Sequence, residues 1–118
     1  MADVASPVEQ FTTGLAAAGA RPERRGLLVI YWVEPVDGRF AGQAVPSGVE
    51  VVELERWPVV PPHWVHLPEI ATFLTTNCQP SSEPGWLRHS RQIAGWGTER
   101  DSVQGWLAHI RSVLGDAQ

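Results

Sequence analysis

The chain has 118 residues, of which 43% are hydrophobic and 19% charged, so it suits one globular domain over 1–118 and not a disordered chain. Its nine basic residues, all arginine, and its net charge of −4 exclude a basic surface for nucleic acid. The sequence shows neither a secretion signal nor an apolar run of the roughly 20 residues that span a bilayer. We therefore expect a cytoplasmic protein without a membrane partner.

The first predicted element is an amphipathic helix that begins after Ser6. Ser6 is a typical N-cap, Pro7 suits the first helical position, and Glu9 completes a capping box. Gly19 is the predicted stop. Apolar side chains recur at helical spacing between these ends, at Val8, Phe11, Leu15 and Ala18.

An antiparallel meander of four strands is predicted next. The polar, proline-broken residues 21–26 indicate a loop, and turn residues at 35–38 and 46–48 separate the first three strands. The predicted strands cover 27–33, 39–45, 49–55 and about 63–67. The alternation slips phase at Val51 and Val52, which is typical of a bulge or of a strand buried on both faces.

A proline-rich segment, Trp57-Pro58-Val59-Val60-Pro61-Pro62, precedes the fourth strand. Each proline lacks a backbone donor and fixes its own φ, so the segment cannot lie in a helix or a central strand. We expect a rigid, extended connector that holds the strands on either side in register.

The residues from 68 to 97 show little periodicity and predict a long loop, which is where a functional site is expected. The loop holds the single cysteine, Cys78, next to Asn77. A capping-box pattern from Thr98 to Asp101 predicts a closing helix that ends before Gly115. Its apolar stripe comprises Val103, Trp106, Leu107, Ile110, Val113 and Leu114.

The order of these elements resembles that of the ubiquitin-conjugating (UBC-like) enzymes. The proline-rich segment is similar to the family's Tyr-Pro-x-x-Pro-Pro element, with Trp57 in place of the tyrosine. The run Trp86-Leu87-Arg88-His89-Ser90-Arg91 with Trp96 is similar to the divergent prokaryotic members. The resemblance covers about 6–114 and implies an α+β UBC-like fold: an N-terminal helix, a four-stranded antiparallel meander, a long active-site loop and a C-terminal packing helix.

The resemblance implies that a ubiquitin-like modifier is received from its activating enzyme as a thioester on Cys78 and passed to an acceptor. Asn77 and nearby backbone amides are then the expected oxyanion donors. His89 is a candidate base, although an ordinary packing histidine has the same sequence signal. Aligning Trp96 with the family's tryptophan instead places the catalytic position near Arg88 or His89. No cofactor is implied.

Other interpretations remain open. The family's His-Pro-Asn element is missing, which favours an inactive UBC-like module that binds a modifier or a partner enzyme. A small structural subunit of unrelated α+β fold is a third alternative. His63 and His66 are three residues apart in a predicted strand and so face opposite sides, which argues against a shared metal ion.

Overall fold

The computed structural model of the protein describes residues 5–74, 77–97 and 101–118. These residues form two α-helices and six β-strands, and a 3₁₀ helix over Val51–Leu54 follows the third strand. In chain order the elements are α1 (Pro7–Ala17), β1 (Glu23–Arg25), β2 (Leu28–Val33), β3 (Val45–Glu50), β4 (Trp64–Pro68), β5 (Cys78–Pro80), β6 (Trp86–Ser90) and α2 (Ser102–Gly115). The predicted α+β class is confirmed.

The strands that the structure describes form one antiparallel sheet in the order β1-β2-β3-β4-β6-β5. The prediction of four strands is wrong. β1 lies in the predicted loop at 21–26, and β5 and β6 lie in the predicted loop at 68–97. These three strands are short, and their hydrogen bonds come from partners elsewhere in the chain, so their own residues carry little strand pattern.

The second and third predicted strands are also wrong. A single strand, β3, runs through the predicted turn at 46–48, because Pro46 can be accommodated opposite Trp32. The Trp32 N–H donates to the Ala20 carbonyl instead of to β3, so this pair exchanges no backbone hydrogen bond and proline's missing N–H costs nothing there. The phase slip at Val51 marks the change from β3 to the 3₁₀ helix.

The predicted helices are confirmed. Ser6 and Glu9 form the capping box of α1, and Gly19 adopts a φ of 78° beyond the end of the helix. The N-cap of α2 is Asp101, whose carboxylate accepts from the Val103 and Gln104 N–H groups. Thr98, where the predicted capping box begins, lies outside the described residues. No helix within the described ranges combines the length and apolarity needed to cross a bilayer.

Both helices pack on one face of the sheet and form the main core with it. Buried polar groups join the layers: the Trp106 Nε1–H donates to the Tyr31 hydroxyl at 2.8 Å, and Ser47 Oγ lies 3.2 Å from the same hydroxyl. Burial raises the pKa of Tyr31 well above its usual range, so this hydroxyl stays neutral. Helix α2 is therefore tied to the middle of the sheet by a buried hydrogen bond.

The opposite face of the sheet, called the outer face below, is covered by the connection between β5 and β6. Trp86 packs over Gly48, and Glu83 forms an ion pair with Arg25 at 3.6 Å. Leu28 and Ile30 are fully buried although they lie outside the main core cluster. The loop from 81 to 85 therefore belongs to the packed structure.

The predicted extended connector is a turn instead. The Trp57 N–H donates to Leu54 and the Val60 N–H to Arg56, so the backbone bends before it reaches β4. The Trp57 ring is buried, with its centroid 4.8 Å from that of Phe11. Burial of the Trp57 ring against α1 stabilises this bent path.

Gly38 and Gly42 provide a matched test of how closely the turn after β2 approaches α2. Both have positive φ, at 82° and 75°, but a Cβ on Gly38 would lie 2.4 Å from the Gly115 carbonyl oxygen, whereas a Cβ on Gly42 would meet nothing within 4 Å. We expect Gly42→Ala to lower the free energy of unfolding by about 1–2 kcal/mol. Gly38→Ala should cost a further ~1–3 kcal/mol from the clash. Equal urea-unfolding losses for the two variants would contradict this packing.

The Tyr31–Trp106 hydrogen bond can be measured by a double-mutant cycle. Tyr31→Phe leaves the Trp106 N–H buried without its acceptor, so we expect a loss of about 1–3 kcal/mol in unfolding free energy. The loss should shrink when Trp106 is already phenylalanine, because the indole donor is then absent, whereas the Ser47 contact is lost in both backgrounds and cancels. An unchanged loss in that background would show that the hydrogen bond contributes nothing to folding.

Candidate functional site

The candidate nucleophile, Cys78, is the first residue of β5 and is exposed with a free thiol. β5 pairs with β6 on one side and forms the edge of the sheet on the other. Cys78 therefore lies on an ordered edge strand, where the sequence predicts a loop. An exposed thiol at a sheet edge is open to a large reaction partner.

The register of β5 and β6 places Cys78 opposite His89 and Gln79 opposite Arg88. The Ser90 N–H donates to the Asn77 carbonyl at 2.8 Å, which makes Cys78–His89 a pair without mutual backbone hydrogen bonds. In such a pair the side chains are close and the backbone groups point away from the partner strand. The Cys78 N–H consequently points to the open edge.

The pairing of β5 with β6 brings together the three predicted site residues, Asn77, Cys78 and His89, but their environments differ. Asn77 is exposed immediately before β5. His89 is only 1% exposed and its ring packs edge-on against Phe73, with centroids 4.9 Å apart. Burial, and then the charge of Arg91, lower the pKa of His89, so its ring is neutral at neutral pH. His89 resembles a packing histidine more than a solvent-facing base.

Arg88 is a site residue whose surroundings the sequence analysis missed. Its guanidinium lies 4.4 Å from the centroid of the Trp64 ring, donates to the Gln79 side-chain oxygen and approaches the Glu50 carboxylate to 4.0 Å. These contacts come from three other strands and hold Arg88 in place on the outer face. The spacing of residues along the chain carries no signal for such cross-strand contacts.

Trp96 connects the segment before α2 to the proline-rich segment. Its Nε1–H donates to the Pro58 carbonyl at 2.8 Å, and its ring lies 5.4 Å from that of Trp57. Trp96 is thus a structural link between these two segments.

His63 and His66 contact different serines. His63 Nε2 lies 2.5 Å from Ser90 Oγ, whereas His66 Nδ1 lies 2.7 Å from Ser81 Oγ. Within the described part of the chain, no three His, Cys, Asp or Glu residues are grouped so that they could hold a metal ion.

A groove of about 600 Å³ lies elsewhere, between the start of α1 and the 3₁₀ helix. Its walls are largely aliphatic and include Val8, Leu27 and Val52, with Arg24 and Glu55 at the rim. None of the three predicted site residues lines it, so the groove is separate from the Cys78 site.

Comparisons of this chain with protein-family models, with curated proteins and with solved structures found no match. The geometry of the site and the resemblance in its sequence are therefore the grounds for a function.

The buried histidines predict a pH dependence of folding. Burial, with the charges of Arg88 and His89, lowers the pKa of His66 to about 4. As the pH falls, the unfolded state therefore takes up a proton on His66 before the folded state does. The contribution of His66 to the free energy of unfolding is then fully present above about pH 6.5 and is lost as the pH drops toward 4. The loss is roughly 3 kcal/mol, at about 1.4 kcal/mol per pH unit.

We expect the unfolding free energy of His66→Gln to decrease less between pH 7 and 4 than that of the wild type. Ser82→Ala, a change at an exposed residue that does not titrate, is the control and should retain the wild-type slope. Chemical denaturation at several pH values measures the slopes. Identical slopes for wild type and His66→Gln would show that His66 does not titrate in this range.

Proposed function

We propose that this protein is a prokaryotic ubiquitin-conjugating-like carrier that holds a ubiquitin-like modifier as a thioester on Cys78. The observation that supports the proposal most is the exposed thiol on an edge strand, directly opposite His89. Aligning the cysteine or aligning Trp96 with the family pattern had given two different catalytic positions. Cys78 and His89 are cross-strand neighbours in the sheet, which supports a single site near both positions.

The geometry suits attack on a carbonyl group brought by a large partner. The sulfur of Cys78 attacks the thioester carbonyl on the activating enzyme, a new C–S bond forms, and the activating enzyme's thiolate leaves. The outward Cys78 N–H is available as an oxyanion donor, and the exposed Asn77 side chain is the second candidate. Transfer then needs an acceptor nucleophile, which releases the Cys78 thiolate.

The partners in this proposal are the ubiquitin-like modifier and its activating enzyme, both inferred from the resemblance. The cytoplasm, where thiols stay reduced, is the compartment in which an exposed free cysteine would persist.

The experiment is a conjugation assay with ATP, a ubiquitin-like protein and the activating enzyme that is specific for it. We expect a covalent adduct on a non-reducing gel that disappears when a thiol is added. Cys78→Ser should give an adduct that resists the thiol, because an oxygen ester replaces the thioester, and Cys78→Ala should give none. An adduct that persists in Cys78→Ala would disprove the assignment.

A catalytically inactive binding module is the second candidate, and the burial of His89 favours it. A ring packed against Phe73 cannot reorient toward solvent without losing that packing, and Arg88 is held by three contacts. The module would bind the modifier with equal affinity in the wild type, in Cys78→Ala and after alkylation of Cys78. Calorimetric titration of the three forms, in parallel with the conjugation assay, separates the two functions.

A further inference from the structure

Three polar side chains from separate strands converge on the outer face, away from Cys78. His66 lies in the middle of β4 and is fully buried, Glu50 ends β3, and Ser81 follows β5. Ser81 Oγ lies 2.7 Å from His66 Nδ1, and Glu50 Oε1 lies 3.9 Å from His66 Nε2. The imidazole therefore stands between a hydroxyl and a carboxylate.

The surroundings of the ring determine where its proton lies. His66 Nε2 is buried and has no hydrogen-bond partner among the residues that the structure describes, and Glu50 is the carboxylate near it. A neutral ring with its proton on Nε2 directs a positive N–H toward Glu50, whereas the other tautomer would direct a lone pair at a negative charge. The Glu50 carboxylate thus favours the Nε2–H tautomer and leaves Nδ1 as an acceptor, although the Arg88 guanidinium, 4.0 Å from the same carboxylate oxygen, offsets part of that charge.

The contacts of Ser81 agree with this assignment. The Glu83 N–H donates to Ser81 Oγ at 3.2 Å, which occupies a lone pair of the hydroxyl. The hydroxyl proton is then directed to His66 Nδ1. Ser81 remains partly exposed, as a nucleophile that meets a small substrate requires.

We propose that Ser81, His66 and Glu50 form a nucleophilic triad that reacts with small activated esters. Ser81 is the nucleophile, His66 the general base acting through Nδ1, and Glu50 a positioning residue that holds the ring in the Nε2–H tautomer. The 3.9 Å between Glu50 and the ring is longer than a hydrogen bond, and in catalytic sites such contacts commonly shorten when substrate binds. The site is independent of Cys78 and of the function proposed above.

Ser81 reacts in the same way with an acyl ester and with a phosphorylating probe. Ser81 Oγ attacks the carbonyl carbon, its proton passes to His66 Nδ1, the Oγ–C bond forms, and the ester C–O bond breaks as the alkoxide or phenolate leaves. With diisopropyl fluorophosphate, Oγ attacks phosphorus, the P–F bond breaks and fluoride leaves, again with the proton on His66. Water or another acceptor releases the acyl group, whereas the phosphoryl group stays bound.

Labelling of the full chain with diisopropyl fluorophosphate tests the proposal directly. We expect one adduct by intact-mass measurement, located at Ser81 by peptide sequencing of the wild type. Labelling at Ser81 should be about 100-fold or more faster than at the adjacent exposed Ser82, which lacks a histidine contact in the described structure. Absence of label at Ser81, or equal rates at the two serines, would overturn the proposal.

Three variants complete the labelling experiment. Ser81→Ala should abolish the adduct, whereas Ser82→Ala is the matched control and should retain it. Cys78→Ala should also retain it, which separates this site from the thioester site. Because the label is located in the wild-type chain, the result stands even if Ser81→Ala alters folding.

The tautomer of His66 distinguishes a base from a purely structural partner of Ser81. A base must have no proton on Nδ1, whereas a structural contact is compatible with either tautomer. Nitrogen-15 NMR of the imidazole rings should show His66 protonated at Nε2 and not at Nδ1. Glu50→Gln, which removes the charge and keeps the shape, should increase the Nδ1–H tautomer and slow labelling of Ser81. A ring protonated at Nδ1 in the wild type would make His66 a donor to Ser81 and would overturn its role as a base.

Discussion

The pairing of β6 between β4 and β5 is the constraint on which both proposed sites depend. β6 places His89 opposite Val65 on one side and opposite Cys78 on the other. Without that pairing, Cys78 would lie in a loop with no defined neighbour, and Arg88 would not reach Trp64 or Glu50. A short strand at the edge of a sheet has an ordered backbone and is also open to a reaction partner. A flexible loop provides only the access, and a central strand provides only the order.

The two faces of the sheet carry different kinds of side chain. The face under α1 and α2 buries aliphatic and aromatic side chains and contributes most of the apolar burial. The outer face instead carries ionisable groups, which include the fully buried His66 and the partly buried Glu50 and Arg88. Keeping such groups away from water is costly unless they pair, so the close contacts among them follow from the way the β5–β6 connection covers this face.

The two proposed nucleophiles illustrate what different chemistries need from a fold. Sulfur is an intrinsically strong nucleophile and needs mainly access, which the edge position of Cys78 provides. A serine hydroxyl needs a base to remove its proton, and Ser81 has an imidazole within hydrogen-bonding distance. Cys78 thus depends on its position at the edge of the sheet, whereas Ser81 depends on its contact with His66.

Local interactions made the helices predictable from the sequence. The capping box at Ser6 and the apolar stripe of α2 involve residues three or four apart, and such contacts form in any chain that adopts the helical backbone. The sequence likewise identified Cys78, Asn77 and His89 as candidates, because residue type and polarity are local properties. It did not predict β5 and β6, since their short segments are strands only by virtue of the partners they pair with.

By itself, then, the sequence determined the α+β class, the two helices and the residue types available for chemistry. Only the tertiary structure decided the six-stranded order, the passage of β3 through Pro46, the Cys78–His89 pair and the meeting of Ser81 with His66. The physical reason is that strand register depends on hydrogen bonds and side-chain packing between segments far apart in the chain, and no spacing within one segment encodes those partners.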